Sequence, residues 1–276
     1  MAMEGGSGAR DSVRVEISNS RRHSDIVAIE EPLSLVVSIN EESSIPLGIL
    51  MRTPGNDTEL IYGFLFSEGI ISSSSDVLKI HVDSNNAEVH IRPDSVFDPE
   101  NYVRRTTMSS SCGVCGRSTI SDMLHLHAET LSENISLDYY AFSANFDKMS
   151  DSQELFQQSG GTHACASFTE DGDMVDIFED VGRHNAMDKL VGSHLISDSV
   201  PPSDCILVVS GRASFDLVQK SIRSGFAIML AIGAPSSLAV DLANEHGLTL
   251  ACFCKESSMS IFSGLSRVVN RATNNK

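Results

Sequence analysis

The chain opens with about two dozen polar, aperiodic positions, and residues 1–24 are expected to form a disordered tail. From Asp25 to Asp94 short apolar runs of strand type recur at Ile26–Ile29, Leu33–Ile39, Ile45–Met51, Val77–Val82 and Glu88–Ile91. The polar stretch Asp83-Ser84-Asn85-Asn86 closes the last two as a hairpin. One helix interrupts them: Asp57 or Thr58 caps it, Leu60, Ile61, Phe64 and Leu65 recur at helical spacing, and Ser67-Glu68-Gly69 ends it. Residues 25–100 therefore read as a small α+β domain. Residues 95–111 are a polar connection, followed by a helix over 118–129 and another over 142–158 with Phe142, Phe146, Met149 and Leu155 inward.

From Gly160 onward the pattern becomes regular. Strands are predicted at 163–169, 174–178, 205–209, 226–232, 248–254 and 259–262, with helices over 183–195, 215–224 and 236–246. Apolar strands alternating with helices imply a largely parallel sheet covered on both faces, an α/β domain spanning about 110–270. In such a sheet ligands bind beyond the carboxyl ends of the strands. The segments after those strands are Glu179-Asp180-Val181-Gly182-Arg183-His184, Ser210-Gly211-Arg212-Ala213-Ser214, Gly233-Ala234-Pro235-Ser236-Ser237 and Lys255-Glu256-Ser257-Ser258. Glycines, hydroxyls and cations at helix starts form a rim that accepts anions. No Walker loop or G-x-G-x-x-G fingerprint specifies a nucleotide class.

Composition narrows the partners. The 276 residues carry a formal charge of −17, which argues against nucleic acid or an anionic membrane. No apolar run reaches the length of a membrane span, and Met1 to Arg10 lacks a secretory core. Six cysteines, two pairs of them closely spaced, fit a reducing compartment, so a cytoplasmic protein is expected.

The chemistry centres on Ser109-Ser110-Ser111-Cys112-Gly113-Val114-Cys115-Gly116. A glycine-flanked Cys-x-x-Cys can be half a zinc site, a redox couple or a thiolate nucleophile with a neighbour. Cys252-x-Cys254 is too tight for the usual zinc knuckle, so no protein-bound metal is expected. Deamination is rejected: His127-Ala128-Glu129 follows the cysteines instead of preceding them, and Ser111 stands where that chemistry has proline. Arg212 and Lys255 are candidate phosphate contacts. His163 and His184 are candidates for proton transfer or phosphate contact, with Asp180 available to orient either. Lys220 and Arg223 read as solvated face or ion pairs. Cys165, Cys205 and Cys252 read as core, and Cys254 as able to face a ligand.

The ordered set Leu65-Phe66-Ser67-Glu68-Gly69-Ile70-Ile71, Cys112-Gly113-Val114-Cys115-Gly116, Gly161-Thr162-His163-Ala164, Glu179 through Leu190, Arg212-Ala213-Ser214 with Val218-Gln219-Lys220-Ser221, and Phe253-Cys254-Lys255 resembles the FdhD family of formate dehydrogenase accessory sulfurtransferases. The resemblance covers roughly residues 25 to 265. It implies a three-layer α-β-α sandwich similar to cytidine deaminases. It also implies a sulfurtransferase that accepts sulfur from a cysteine desulfurase as a cysteine persulfide. That sulfur would pass to the molybdenum cofactor, Mo-bis-molybdopterin guanine dinucleotide, before the cofactor's insertion into formate dehydrogenase. Carried onto this chain, Cys112 is the persulfide cysteine and Cys115 its partner, and Phe253, Cys254, Lys255, Glu256, Ser257 and Ser258 contact the cofactor. Arg183, His184, His163, Arg212 and Ser214 join them from the rim. Glu256-Ser257-Ser258 departs from the Pro-Gly-Arg that often continues this motif, which puts the phosphate contacts there in question. A homodimer is compatible with this reading. A cofactor-holding module without sulfur chemistry is the alternative.

Overall fold

The computed structural model describes residues 6–16, 19–40, 43–95, 97–98, 102, 130–139, 142–197, 200–255 and 257–270. Strands β1 (Ser7–Glu16) and β2 (Asn19–Ala28) pair as an antiparallel hairpin, where the polar pattern predicts a tail. Apolar residues alternate only over Val13-Arg14-Val15-Glu16-Ile17, a short stretch in polar surroundings that does not by itself signal a hairpin. Ile29 N–H donates to Gly6 O as a further rung of the ladder, and from outside the hairpin Gln158 Oε1 accepts from Ser7 Oγ.

Strands β3 (Glu31–Asn40), β4 (Ser43–Arg52), β5 (Val77–Asp83) and β6 (Asn86–Ile91) form a four-stranded sheet of order β4-β3-β6-β5. The predicted turn at 83–86 joins β5 to β6, and β3 runs parallel to β6. Helix α1 (Asp57–Ser67) lays Leu60, Ile61 and Leu65 against Leu33, Leu35, Val37, Val89 and Ile91, which together form one buried cluster. The 3.6-residue spacing of the helix and the two-residue spacing of β3 meet at that surface.

The second cluster surrounds a six-stranded sheet of order β13-β12-β11-β10-β8-β9. Its strands are β8 (His163–Thr169), β9 (Met174–Asp180), β10 (Cys205–Val209), β11 (Ile228–Ala231), β12 (Thr249–Lys255) and β13 (Ser258–Ser263). A short pair, β7 (Leu137–Asp138) with β14 (Val268–Val269), lies apart from it. Only β10–β11 and β11–β12 are parallel, whereas β8, β9 and β13 are added antiparallel. This corrects the largely parallel sheet expected from the pattern. A strand buried on both faces is continuously apolar whatever the direction of its neighbours, so the pattern cannot distinguish the two.

The segment over 142–158 divides into α2 (Phe142–Asp151) and α3 (Glu154–Ser159), where one helix is predicted. The Glu179 carboxylate accepts the Leu155 and Phe156 N–H groups at 2.8 Å each, giving α3 its own capped start. The remaining helices are α4 (Arg183–Ile196), α5 (Phe215–Arg223) and α6 (Ser237–Glu245). The helix expected at 118–129 lies outside the described residues. Among the described residues, no helix is long and apolar enough to cross a membrane.

Helix α1 packs on α4 at backbone distance. A Cβ on Gly63 would lie 1.8 Å from Asp188 O, and one on Gly192 would lie 1.8 Å from Glu59 O. Only hydrogen fits at either crossing point. Buried charges finish the joint. Lys189 Nζ reaches Asp180 Oδ2 at 2.8 Å and donates to Thr53 O at 2.9 Å and Glu179 O at 3.2 Å. Lys220 pairs with Asp188, which also accepts the Ser67 hydroxyl at 2.8 Å. Arg223 Nε donates to Phe66 O, and its guanidinium lies 4.7 Å from the Phe66 ring centroid. The two sheets are thereby fixed to each other through α1 and α4.

Candidate functional site

Antiparallel β8 and β9 bring further residues to the end of the sheet where β10, β11 and β12 finish. His163 begins β8 beside the end of β10: Ala164 N–H donates to Ser210 Oγ, and Ser210 N–H returns a bond to Ala164 O. Asp180 ends β9 opposite His163, so Gly182-Arg183-His184 starts α4 at the same end. The segments after β10 and β11 lie side by side, with Gly233 N–H donating to Gly211 O at 2.9 Å. A Cβ on Gly233 would come within 2.9 Å of Arg212 Cα, so glycine permits this contact. Phe253 N–H donates to Gly233 O at 3.2 Å, adding β12 to the row.

The structure therefore gathers His163, Arg183, His184, Arg212, Ser214 and Phe253 along one rim. His163 is held below its usual pKa by burial first, and then by Arg183 and Arg212. His184 is pushed down to about 4, again by burial first, then by Lys220, Arg183 and His163. Its Nε2 lies 3.7 Å from Asp216 Oδ2, but a histidine with that pKa is neutral near pH 7, so the contact is not a charge pair. Asp216 is a rim residue that the sequence reading passed over. Its place in the first turn of α5 reads as ordinary helix-start chemistry.

Other expectations need revision. Asp180 does not orient a histidine. It is fully buried and occupied by Lys189, Asn185 Nδ2 and the N–H groups of Thr53 and Gly182. Of the two alternatives for Lys220 and Arg223, the ion pair holds for Lys220, which is bound to Asp188, while Arg223 donates to Phe66 O, so both belong to the α1–α4–α5 joint. Cys254 points into the core, where burial raises its thiol to about 11, so it offers the ligand no thiolate. Cys165, Cys205 and Cys252 are buried as expected, and burial raises their thiols as well.

Phe253 occupies the outward position beside Cys254. Its φ of 53° is left-handed, a conformation disfavoured for a bulky side chain, and its ring is 44% exposed. The register of β12 against β13 shifts between Cys252 and Lys255, so a bulge turns this ring out towards Phe262, 6.2 Å away between centroids. Lys255 and Ser258 pair across the neck of the β12–β13 hairpin, and both are exposed, as is Ser257. Cys112, Cys115 and Glu256 lie outside the described residues. No group of three or more His, Cys, Asp or Glu side chains placed to hold a metal occurs among the described residues.

The chain is thus a mixed α/β protein whose sheet end carries two arginines, two histidines and an outward-facing aromatic in left-handed backbone conformation. The chain belongs to the FdhD/NarQ family, whose model matches residues 28–269. It is 39% identical over 275 residues to the sulfur carrier protein FdhD of Streptomyces avermitilis, covering 95% of this chain and 96% of that one. It is 40% identical over 260 residues to the protein of the same name from Saccharolobus solfataricus, covering 94% and 96%. A crystal structure described as a formate dehydrogenase accessory protein from Desulfotalea psychrophila superposes with a TM-score of 0.79 at 24% identity. It covers 96% of this chain and all of that one, a likeness that concerns the fold.

Proposed function

We propose that this protein is a cytoplasmic sulfur carrier of the sulfurtransferase type that activates a guanylylated molybdenum cofactor for formate dehydrogenase. The observation that carries this reading is the name sulfur carrier protein borne by relatives about 40% identical over nearly the whole chain, taken with the glycine-flanked Cys112-x-x-Cys115. In the proposed cycle a Cys112 thiolate attacks the terminal sulfur of a cysteine desulfurase persulfide. A Cys112 persulfide forms and the donor thiolate leaves. Cys115 thiolate then attacks Cys112 Sγ, giving a Cys112–Cys115 disulfide and releasing HS⁻ to the cofactor. A cellular dithiol returns the pair to its reduced form.

The cofactor is substrate here. The rim supports its assignment: Arg183, Arg212 and Lys255 supply positive charge, Ser214, Ser257 and Ser258 supply hydroxyls, and Phe253 offers a face for a base or pterin. The strain at Phe253 is of the kind that persists at binding sites. The same proposal takes residues 25–100 as a small α+β unit and 110–270 as a three-layer sandwich similar to cytidine deaminases, a division that the two separate buried clusters support. The test is complementation of a host lacking its own carrier. Wild type should restore formate dehydrogenase activity, and Cys112→Ser should leave the dehydrogenase present but inactive. Full restoration by Cys112→Ser would favour the second reading, a module that binds the cofactor without sulfur transfer.

A further inference from the structure

Thr53, which follows β4 at the end of the four-stranded sheet, is tied by three hydrogen bonds to one short segment of the other sheet. Its N–H donates to Asp180 Oδ2 at 3.0 Å, its hydroxyl oxygen accepts the Val181 N–H at 3.1 Å, and its carbonyl accepts from Lys189 Nζ at 2.9 Å. Close by, Met51 O accepts from Asn185 Nδ2 at 2.7 Å, and the same amide nitrogen donates to Asp180 Oδ1 at 3.0 Å. Asp180 Oδ1 takes the Gly182 N–H at 2.9 Å as well. The turn Asp180-Val181-Gly182 leads directly into Arg183 and His184, and it is held by residues outside its own sheet. Gly182 supplies no side-chain cap to α4.

Thr53 is fully buried, and its side chain is held in one orientation. A Cβ on Gly6 would lie 2.5 Å from Thr53 Cγ2 and 2.7 Å from Leu155 Cδ1, so the methyl is seated between the base of the β1–β2 hairpin and α3. A β-branched side chain whose methyl is seated has one direction left for its hydroxyl, here towards Val181. The segment that carries Thr53 is equally fixed. Arg52 is 2% exposed, donates to the two Asp57 carboxylate oxygens at 2.8 and 3.0 Å, and donates to Ser84 O at 3.3 Å.

We propose that Thr53 is a positioning residue for the rim, setting through the Val181 N–H the turn that aims Arg183 and His184 at the segment carrying Gly211 and Arg212. This rests on the reading of the rim as the place where the cofactor is held during sulfur delivery, and it adds a residue of the other sheet. Arg183 passes close to that segment: a Cβ on Gly211 would lie 4.0 Å from Arg183 Cδ and 3.5 Å from His163 Nδ1. A turn released at Val181 shifts Arg183 and His184 together, and displacements of about 1 Å are costly to steps that depend on geometry. In the proposed cycle loading of Cys112 precedes any use of the rim, so loading and delivery should respond differently.

The test compares three variants. Thr53→Val keeps the shape and removes the acceptor, Thr53→Ser keeps the acceptor, and Val89→Ala loosens the buried cluster under α1 without touching the turn. Loading is read by intact mass in a Cys115→Ser background. Delivery is read by complementation of a host lacking its own carrier, normalised to the amount of carrier, and the turn by NMR titration of the His184 imidazole. Thr53→Val is expected to load sulfur like its parent and to restore about tenfold less formate dehydrogenase activity, the equivalent of one hydrogen bond. Thr53→Ser should recover most of that difference. The His184 pKa, held down by burial, should rise in Thr53→Val and stay in place in Val89→Ala. Full restoration by Thr53→Val, an equal loss in Val89→Ala, or an unmoved His184 would overturn the proposal. A parallel loss of loading would overturn it as well, since general destabilisation lowers both steps. If wild type restores no activity, the delivery reading falls and the His184 titration alone decides the positioning role: a rise in Thr53→Val but not in Val89→Ala upholds it, and no rise overturns it.

Discussion

Replacing Lys189 with methionine keeps the length of the side chain and removes its charge from the centre of the joint between the two sheets. Lys189 is 1% exposed, and Asp180, its partner at 2.8 Å, is fully buried. Breaking a buried pair by removing one partner costs about 3–5 kcal/mol, because the other charge is left in a poorly solvating interior. Here Asp180 still accepts from Thr53 N, Gly182 N and Asn185 Nδ2, which places the expected loss near the lower end, about 3 kcal/mol. Thr53 O and Glu179 O lose a donor as well. Against a total stability of about 5–15 kcal/mol, Lys189→Met should fold but unfold at a distinctly lower guanidinium concentration. The chain contains no tryptophan, so far-UV circular dichroism is the suitable probe. Adding Asp180→Asn removes the stranded charge and should recover part of the loss. A loss below about 1 kcal/mol, or a double variant no better than the single, would show that the joint does not depend on this pair.

Other perturbations test other parts of the account. Gly192→Ala forces a methyl into the α1 backbone and should cost about 1–3 kcal/mol or more, read as a lowered unfolding midpoint; an unchanged midpoint would mean that the helices can separate freely. His184 has a folded pKa of about 4 against an unfolded value near 6.5, so the unfolded chain binds the extra proton between these limits. Its contribution to stability is complete above pH 6.5 and is lost as pH falls towards 4, and His184→Gln should therefore flatten the stability profile in that window. Parallel profiles for the two proteins would contradict it. At position 253 the left-handed φ predicts that Phe253→Gly is more stable than Phe253→Ala by about 1 kcal/mol while both weaken GDP binding. Equal stabilities would show that the backbone relaxes when the ring is removed.

The residues that position the rim were legible because loops after apolar strands carry their glycines, hydroxyls and cations in sequence. Arg183, Arg212 and Ser214, which follow strands, could be placed at one sheet end from the pattern alone, whereas His163 begins its strand and reaches that end only because β8 runs antiparallel to β10. What the sequence hid was long-range and electrostatic. Asp188-Lys189 looks like a charged turn of a solvated helix, yet both side chains are buried, one against Lys220 and the other against Asp180 and Thr53 O. Their partners lie up to 136 residues away in the chain, beyond the reach of any local pattern. Asp180 was misread for the same reason: proximity to His184 in sequence suggested a catalytic partner, and the fold gives it to a lysine nine positions on. The hairpin of β1 and β2 escaped because the alternation Val13-Arg14-Val15-Glu16-Ile17 has no counterpart in β2, which is polar from Asn19 to Asp25.

The central claim is that Cys112 carries sulfur. Intact-mass spectrometry after incubation with a cysteine desulfurase and cysteine tests it most directly, with wild type compared against Cys112→Ser and Cys115→Ser. The account predicts a gain of one sulfur atom on Cys115→Ser, absent from Cys112→Ser and removed by a thiol reductant, while wild type carries either the added sulfur or the Cys112–Cys115 disulfide, two hydrogens lighter. Retention of the added sulfur by Cys112→Ser, or no gain on Cys115→Ser, would contradict it.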